Sequence, residues 1–331
     1  MFKRPDIIKK GFIDEEISSG TDIISGIEKM RKEKNALILA HYYQTADIQD
    51  IADFVGDSLD LSRKAAATDA DIILFAGVHF MAETAKILSP QTKVLIPDLN
   101  AGCSLSDTCP PGKFSKFVDD NPGRTVITYI NSAAEIKALS DIICTSTNAY
   151  KIVESLPEDE KIIFAPDRNL GNFISNKVSR DMLIWEGACH VHEEFSLEAI
   201  VEIKNNNPDA SIIAHPECEL PVRMVADFIG STGALLKHIR TDSSDKYIVA
   251  TEPGIIHQMK KDRPAKIFIP APGKDSTCGC SECNFMKLIT MKKIYLTLKY
   301  ELPELIMDEY LMDKARKPVE RMLDISDRLG I

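Results

Sequence analysis

The chain has 331 residues, 44% of them hydrophobic and 27% charged, which is the balance of a globular protein. Its formal net charge of −10 argues against nucleic acid as a partner, because binding to a phosphate backbone needs clustered Lys and Arg. We find no apolar signal segment after the first basic residues and no run of about 18 apolar residues, so we expect a cytoplasmic protein that does not enter a membrane. Its eight cysteines are then candidate metal ligands or buried thiols rather than disulfides.

Residues 1–34 have a helical pattern and precede a threefold repeat, so we predict an N-terminal helical segment there. Each copy of the repeat opens with a short apolar run that ends in polar residues. The three runs are Leu37–Tyr43, Val126–Asn131 and Ile212–Glu217. Their length and β-branched content predict buried parallel strands, with His41, Tyr129 and His215 at the carboxyl ends.

An aspartate follows each of these strand ends at an interval of twelve residues, and a hydroxyl residue follows that aspartate by five. The aspartates are Asp53, Asp141 and Asp227, and the hydroxyl residues are Ser58, Ser146 and Thr232. A helical pattern comes next each time, which places the hydroxyl residues at predicted helix N-caps. The free backbone N–H groups of such helix ends can also hold a carboxylate or a phosphate.

Each copy continues with two further apolar runs separated by helical stretches. The second runs are Ile72–Phe75, Ile162–Phe164 and Tyr247–Val249, and the third are Val94–Ile96, Met182–Trp185 and Ile267–Ile269. This alternation predicts an α/β fold of three Rossmann-like αβα units with parallel sheets. We place the units at 35–120, 121–208 and 209–290, with a C-terminal helical segment over 291–331. Approximate threefold symmetry would bring the strand ends to one central pocket.

Cysteines follow the third run of every copy. Cys103 and Cys189 stand alone in the first two copies, whereas the third copy offers Cys278, Cys280 and Cys283. Three thiolates from distant loops suit an iron–sulfur cluster that keeps one iron open to substrate. The residues alone leave the third ligand undecided, and a zinc site is the less favoured alternative because no second cysteine pair completes it. We expect the other cysteines to be buried and inert, namely Cys109, Cys144 and Cys218.

Side chains suited to acid–base chemistry occupy equivalent places in the repeat. His41 and His215 end matched strands, and Tyr43 and Glu217 each lie two residues further on, as Asn131 does beyond Tyr129. Alternation along an extended chain would put each pair on one face, where they could bind an anion or transfer protons. Hydrogen bonding within the loops is the alternative for any one of them.

Taken together, these segments resemble the quinolinate synthase family over most of the chain. The resemblance is carried by Ala40–Gln44, Gly56–Ser58, Asn100–Ser104, Tyr129–Asn131, Val191–Phe195, His215–Cys218 and Gly230–Gly233. It implies αβα units around a pseudo-threefold axis with the active site in a central cavity. It further implies a 4Fe–4S cluster with one open iron, ligated by Cys103, Cys189 and Cys283. Cys283 is preferred because it directly precedes the segment Asn284–Lys287.

The resemblance also implies a reaction, in which iminoaspartate and dihydroxyacetone phosphate condense to quinolinate for NAD synthesis, releasing phosphate and two waters. Substrate-binding residues carried over from the family are His41, Ser58, Tyr129, Asn131, Ser146, His215, Glu217 and Thr232. Catalytic roles fall to Tyr43, Glu217 and His192, with His192 near the cluster. An upstream enzyme that produces iminoaspartate is the implied partner. Two alternatives share the cysteines: another 4Fe–4S dehydratase, and a non-catalytic iron–sulfur carrier.

Overall fold

The structure, a computed structural model, describes residues 10–274 and 281–331 of the chain. Within these ranges twelve strands form three sheets of four. The first sheet contains β1 (Ala36–His41), β2 (Phe54–Gly56), β3 (Ile72–Ala76) and β4 (Lys93–Leu95). The second contains β5 (Thr125–Tyr129), β6 (Ile142–Cys144), β7 (Ile162–Ala165) and β8 (Leu183–Ile184). The third contains β9 (Ser211–Ala214), β10 (Phe228–Ile229), β11 (Lys246–Ala250) and β12 (Ile267–Pro270).

All three sheets are parallel and have the same strand order. The orders are β2-β1-β3-β4, β6-β5-β7-β8 and β10-β9-β11-β12. Within each sheet the chain starts at an inner strand, moves to one edge, returns across the first strand and ends at the other edge. The predicted α/β fold of three repeated αβα units is therefore confirmed. The pseudo-threefold axis and the central cavity remain predictions.

Helices alternate with the strands. In the first unit they are Ala46–Ile51, Ser58–Ala66 and His79–Leu88, followed by Ser104–Asp107 and Pro111–Asp119. In the second they are Ala134–Lys137, Ala149–Glu154, Arg168–Val178, His190–Glu193 and Leu197–Asn206. In the third they are Leu220–Met224, Thr232–Thr241 and Ile255–Asp262. Outside the repeat lie Ile23–Glu33, a 3-10 turn over Met286–Leu288, Met291–Tyr300 and Glu309–Arg328.

The inner strands are buried along almost their whole length. Every residue of β3, β7 and β9 is buried, and these strands consist mostly of Ile, Leu, Phe and Ala. Parallel strands covered by helices on both faces need apolar side chains at successive positions rather than an alternating pattern. This continuous burial explains why the apolar runs were readable from the sequence.

The repeated aspartates have a structural role that accounts for their constant spacing. The carboxylates of Asp53, Asp141 and Asp227 each accept a hydrogen bond, of 2.8 Å, from the backbone N–H of a residue in the preceding first strand. The backbone N–H of each aspartate donates to the carbonyl of that same strand residue, at 3.0, 2.9 and 2.8 Å. We call this paired contact the aspartate clamp. It fixes the connection from the first strand of each sheet to the second.

The predicted N-caps were wrong in position. Asp57 and Ser231 cap the helices that begin at Ser58 and Thr232, through side-chain bonds to backbone N–H groups one turn in. Ser146 is further from a helix start, because the next helix begins at Ala149. Aspartate and serine are among the best N-caps, so the neighbouring residue took the role that the repeat had suggested for the hydroxyl.

The terminal helical segments contact each other. Ile23–Glu33 packs on Met291–Tyr300, and a Cβ on Gly26 would lie 2.6 Å from the ring of Tyr295, so only glycine allows this approach. By compactness the described chain divides into two units. One contains the residues up to Cys103 with Ala133–Ala138 and Asn284–Glu320, and the other contains Ser104–Ser132, Leu139–Cys283 and Arg321–Ile331. The second compact unit therefore contains both the second and third sheets. The repeat boundaries at 35–120, 121–208 and 209–290 remain predictions.

Candidate active site

A buried tyrosine–carboxylate pair links the strand ends of the second and third sheets. Tyr129 is the last residue of β5, and Glu217 lies in the loop that follows β9. The hydroxyl of Tyr129 donates a hydrogen bond of 2.5 Å to Oε1 of Glu217. Tyr129 is 4% exposed and Glu217 2% exposed, so a charge on this carboxylate has almost no access to bulk water. Such a charge requires partners within the protein.

Two histidines supply these partners. Nδ1 of His192 lies 3.1 Å from Oε2 of Glu217, although its N–H is not aligned for a hydrogen bond. Nδ1 of His215 lies 3.6 Å from Oε1. The two imidazole rings stack with centroids 4.7 Å apart, and Nε2 of His192 is 3.1 Å from the hydroxyl oxygen of Thr251. All of these side chains are buried.

Electrostatics keep the Glu217 carboxylate ionised. Burial raises the pKa of Glu217, but the adjacent rings of His192 and His215, with the hydrogen bond from Tyr129, outweigh burial and lower it. Asp167 is also buried nearby, and its pKa is raised, first by burial and then by the charge of Glu217. Two carboxyl groups whose pKa values are pushed in opposite directions are typical of sites that transfer protons.

Cys189 lies beside this network. Its sulfur, a ring nitrogen of His192 and a carboxylate oxygen of Glu217 lie within 4.8 Å of one another, so the three could hold a metal ion. The backbone N–H of Cys189 donates to Oδ2 of Asp167 at 2.8 Å. Asp167 also caps the helix Arg168–Val178 through the N–H of Leu170. The cysteine loop is therefore held at a helix start, next to the acid–base residues.

Three more predicted residues surround the same strand ends. Nε2 of His215 is 3.2 Å from the hydroxyl oxygen of Ser146. Thr232 is 3% exposed and is the first residue of its helix. The side-chain oxygen of Asn131 is buried without a hydrogen-bond donor. Because an unpaired buried acceptor is destabilising, Asn131 is a candidate for an interaction with a ligand.

The chain just after β1 has the same local hydrogen bond as the chain just after β9. The backbone N–H of Tyr43 points to Nδ1 of His41 at 3.2 Å, as the N–H of Glu217 points to Nδ1 of His215 at 3.3 Å. The rings of His41 and Tyr43 meet edge to face, with centroids 4.5 Å apart. Matched strand ends thus fix both histidine rings in the same way. Ser58 is partly buried at the start of the helix that follows β2.

Cys103 is partly exposed and belongs to the first compact unit. Lys137, fully buried, lies near enough for the Cys103 charge to act on it. Burial lowers the pKa of Lys137 to about 8, and the charges of Glu83 and Cys103 oppose that effect. A cation near the sulfur favours the thiolate form that a metal requires.

The described cysteines divide into two groups by exposure. Three are buried, namely Cys109, Cys144 and Cys218. Burial raises the pKa of the Cys109 thiol to about 12 and also raises the pKa values of the Cys144 and Cys218 thiols. The other three are partly exposed, namely Cys103, Cys189 and Cys283. The residues predicted as cluster ligands are thus the three described cysteines that are not fully buried, and their thiols fit an iron–sulfur group. Cys278 and Cys280 lie outside the described residues.

Sequence reasoning missed several polar residues of this region. Asp167, Thr251 and Glu252 are each at most 1% exposed, and none had been singled out. Glu252 accepts hydrogen bonds from the backbone N–H groups of Gly254, at 2.7 Å, and Cys283, at 3.4 Å. One signal could have revealed them. Asp167, Thr251 and Glu252 directly follow inner strands β7 and β11, where polar residues face the same sheet edge as those following β5 and β9.

The fold and this site define a parallel α/β protein with a buried acid–base centre beside a partly exposed cysteine, Cys189. A sequence model described as "Quinolinate synthetase A protein" matches residues 25–324. The chain is similar to the quinolinate synthase of Synechococcus sp. (strain ATCC 27144), with 57% identity over 92% of this chain and 95% of the relative. It is also similar to the quinolinate synthase of Chloroherpeton thalassium, with 54% identity over 93% and 96%. The chain belongs to the quinolinate synthetase A family, as its motifs predicted.

A helix can cross a membrane only if it is long and mostly apolar. In the parts of the chain that the structure describes, none combines the length and apolar character that crossing a bilayer requires.

Proposed function

We propose that this protein condenses iminoaspartate with dihydroxyacetone phosphate to quinolinate, releasing phosphate and two waters, in the de novo synthesis of NAD. The atoms of the two substrates equal those of the products, so the reaction needs no oxidant. Membership of the quinolinate synthetase A family supports the proposal. The observation that carries it is the buried Glu217 carboxylate, held by Tyr129 and two histidines beside Cys189.

Glu217 is suited to accept a proton from a substrate. Its carboxylate is ionised, buried and fixed, and a base held in one position contributes to proton transfer without reorganisation. Tyr129 and His192 contact separate oxygens of Glu217 and can donate a proton or stabilise a negative charge as the base is used. In our proposal Tyr43 is the second proton-transfer residue, in the steps that isomerise the sugar phosphate and remove water.

The remaining predicted residues would hold the substrates' carboxylates and phosphate. They are His41, Ser58, Tyr129, Asn131, Ser146, His215, Glu217 and Thr232. At the helix starts Ser58 and Thr232, the backbone N–H groups that the caps Asp57 and Ser231 do not bind are suited to anions. Asn131 presents an amide whose oxygen lacks a donor.

We propose a 4Fe–4S cluster held by Cys103, Cys189 and Cys283 as the cofactor. When bound, such a cluster with one open iron supplies a Lewis acid that polarises a substrate oxygen. Partial exposure of these three cysteines, against complete burial of the other three described, supports the ligand set. The hydrogen bonds to Asp167 and Glu252 would orient the Cys189 and Cys283 loops before the cluster assembles. We further propose a cytoplasmic location and an upstream enzyme that supplies iminoaspartate.

The test is a reconstitution under anaerobic conditions. The wild-type protein, loaded with iron and sulfide, is incubated with the two precursors, and quinolinate is measured by chromatography. We expect Cys103→Ala and Cys189→Ala to lose activity and most of the iron. Cys109→Ala, the same substitution at a buried thiol, should retain both. Iron and activity that persist in Cys189→Ala would contradict the proposed ligand set.

The same assay separates the two alternatives. Another 4Fe–4S dehydratase would bind iron but form no quinolinate from these precursors. A cluster carrier would bind iron, transfer it to an apo-acceptor and tolerate Glu217→Gln without effect. Carriers need no buried acid–base network, whereas this chain has one within reach of Cys189. The network therefore favours catalysis.

A further inference from the structure

A groove in the second compact unit lies apart from the residues of the candidate active site. It has a volume of about 310 Å³ and runs between the helices Arg168–Val178 and Leu220–Met224. Its walls are Phe173, Leu220, Met224 and Ile229, together with Lys177 and Arg223. A volume near 300 Å³ is at the lower end of the range for small-molecule pockets. The groove is therefore large enough for a small organic ligand.

Within the described ranges of the chain, the guanidinium of Arg223 has no carboxylate at ion-pair distance. Arg223 is only 7% exposed, and its Nε is buried without a hydrogen-bond acceptor. Among residues 10–274 and 281–331 it forms no side-chain hydrogen bond and no ion pair, and its closest notable contact is the ring of Phe173, 5.6 Å from the guanidinium carbon. A buried cation without a partner is strongly unfavourable. It therefore indicates a missing anion.

Nearby carboxylates do not fill this role. Asp167 influences Arg223 electrostatically but is not within ion-pair distance, and its two oxygens accept the N–H groups of Leu170 and Cys189. Lys177 adds a second positive charge at the rim. Its ammonium lies 3.8 Å from the centre of the Tyr150 ring and forms no ion pair with a carboxylate of the described chain. The groove is thus locally cationic on a chain whose net charge is −10.

Apolar surface accompanies the charge. Leu220 is 54% exposed and Met224 77% exposed, which is unusual for side chains of this size, and both line the groove with Phe173. A simple phosphate ion would satisfy Arg223 but leave these side chains in water. A ligand that combines an anionic group with an apolar body would satisfy both.

We propose that this groove binds a small organic carboxylate, whose charged group pairs with Arg223 and whose apolar or aromatic body packs on Phe173, Leu220 and Met224. Arginine suits a carboxylate because its planar N–H groups can bind both oxygens at once. The proposal uses no residue of the candidate active site and does not depend on the proposed reaction. It predicts a second binding site with its own specificity.

The probe is 1-naphthoate, titrated calorimetrically into the full-length protein. The wild type should bind one molecule per chain, and Arg223→Met should bind at least about tenfold more weakly, as expected for loss of a charge-assisted pair. Arg240→Met is the matched control, because Arg240 belongs to the same compact unit but is paired with Asp262 at 2.6 Å. Its affinity for 1-naphthoate should equal that of the wild type. The neutral analogue 1-naphthalenemethanol should bind the wild type more weakly than 1-naphthoate.

A second measurement avoids reliance on the stability of Arg223→Met. In wild-type protein labelled at methionine methyl groups, 1-naphthoate should shift the Met224 signal, assigned through Met224→Leu, and leave Met307 unmoved. The proposal is overturned if 1-naphthoate does not saturate the wild type, if Arg223→Met binds as tightly, or if the Met224 signal does not move. It is also overturned if the wild type is a dimer that Met224→Glu converts to a monomer, since the groove is then an interface between copies.

Discussion

Replacing Tyr129 with phenylalanine tests the central pair of the candidate site. The substitution removes one oxygen and leaves the buried ring in place. Glu217 then loses the hydrogen bond of 2.5 Å to its Oε1 but keeps His192 and His215 as neighbours. The substitution therefore removes the hydroxyl donor and keeps the aromatic ring.

A hydrogen bond to a charged group contributes about 1.5–3 kcal/mol. We expect Tyr129→Phe to lower the free energy of unfolding by about that amount at pH 7 and to raise the pKa of Glu217 by roughly one to two pH units. If Tyr129 fixes the carboxylate in the position that proton transfer requires, a loss of that size in the transition state corresponds to about a ten- to hundredfold fall in turnover.

The pH dependence has a definite sign. The pKa of Glu217 is lowered in the folded state from its ordinary value of 4.5 to about 2. The ionised carboxylate therefore stabilises the fold fully above pH 4.5, and this stabilisation is lost as the pH falls towards about 2. The difference in unfolding free energy between wild type and Tyr129→Phe should therefore be constant above pH 4.5 and shrink below it. Urea unfolding at a series of pH values measures this difference.

Tyr247→Phe is the matched control. Tyr247 is also buried, and its hydroxyl donates to a carboxylate, Oδ2 of Asp242, at 2.8 Å. Both variants should lose stability, but only Tyr129→Phe should lose turnover in the quinolinate assay. Equal turnover in Tyr129→Phe and wild type, or an equal loss in both variants, would refute the assignment of Glu217 as a fixed base.

Three further predictions concern the clamp, the second proton-transfer residue and the Cys189 loop. Asp227→Ala should lower the unfolding free energy by about 1–3 kcal/mol, because it leaves a buried strand N–H without an acceptor. The substitution Asp209→Ala, at an exposed aspartate, should change the unfolding free energy little. Equal effects of the two substitutions in urea titrations would count against the clamp. Tyr43→Phe should retain iron but slow quinolinate formation, and unchanged kinetics would remove Tyr43 from the scheme. Asp167→Asn should weaken iron retention during chelator challenge, because an amide N–H would face the N–H of Cys189; retention equal to the wild type would show that this bond does not position the loop.

Much of the fold was predictable because its inner strands are buried on both faces. Nine apolar runs corresponded to the strands β1, β3 and β4 and their repeats, and the repeat itself was visible in the spacing of Asp53, Asp141 and Asp227. The strands β2, β6 and β10 were missed. They contain only two or three residues each and directly follow the repeated aspartates, so in the sequence they look like part of the turn into the next helix.

The site was predictable where a residue stood at a repeated position, as His41 and His215 do. It was not predictable for Asp167, because a buried carboxylate that caps a helix looks like any N-cap in a sequence. Nor does a sequence give the direction of a pKa shift, which depends on burial and on neighbours distant in the chain. The contact of Glu217 with Tyr129 spans 88 residues and could be inferred only by assuming that strand ends meet.

The aspartate clamp lets different residues hold the strand connection and occupy the strand end. The connection between the first and second strands of each sheet is fixed locally, by one carboxylate and one strand, and in the same way in all three copies. The residue at the end of the first strand takes no part in this contact. It can therefore differ between copies, as His41, Tyr129 and His215 do. A unit fixed in this way can keep its fold while the residue at its strand end changes, so the repeat tolerates a change of chemistry at that one position.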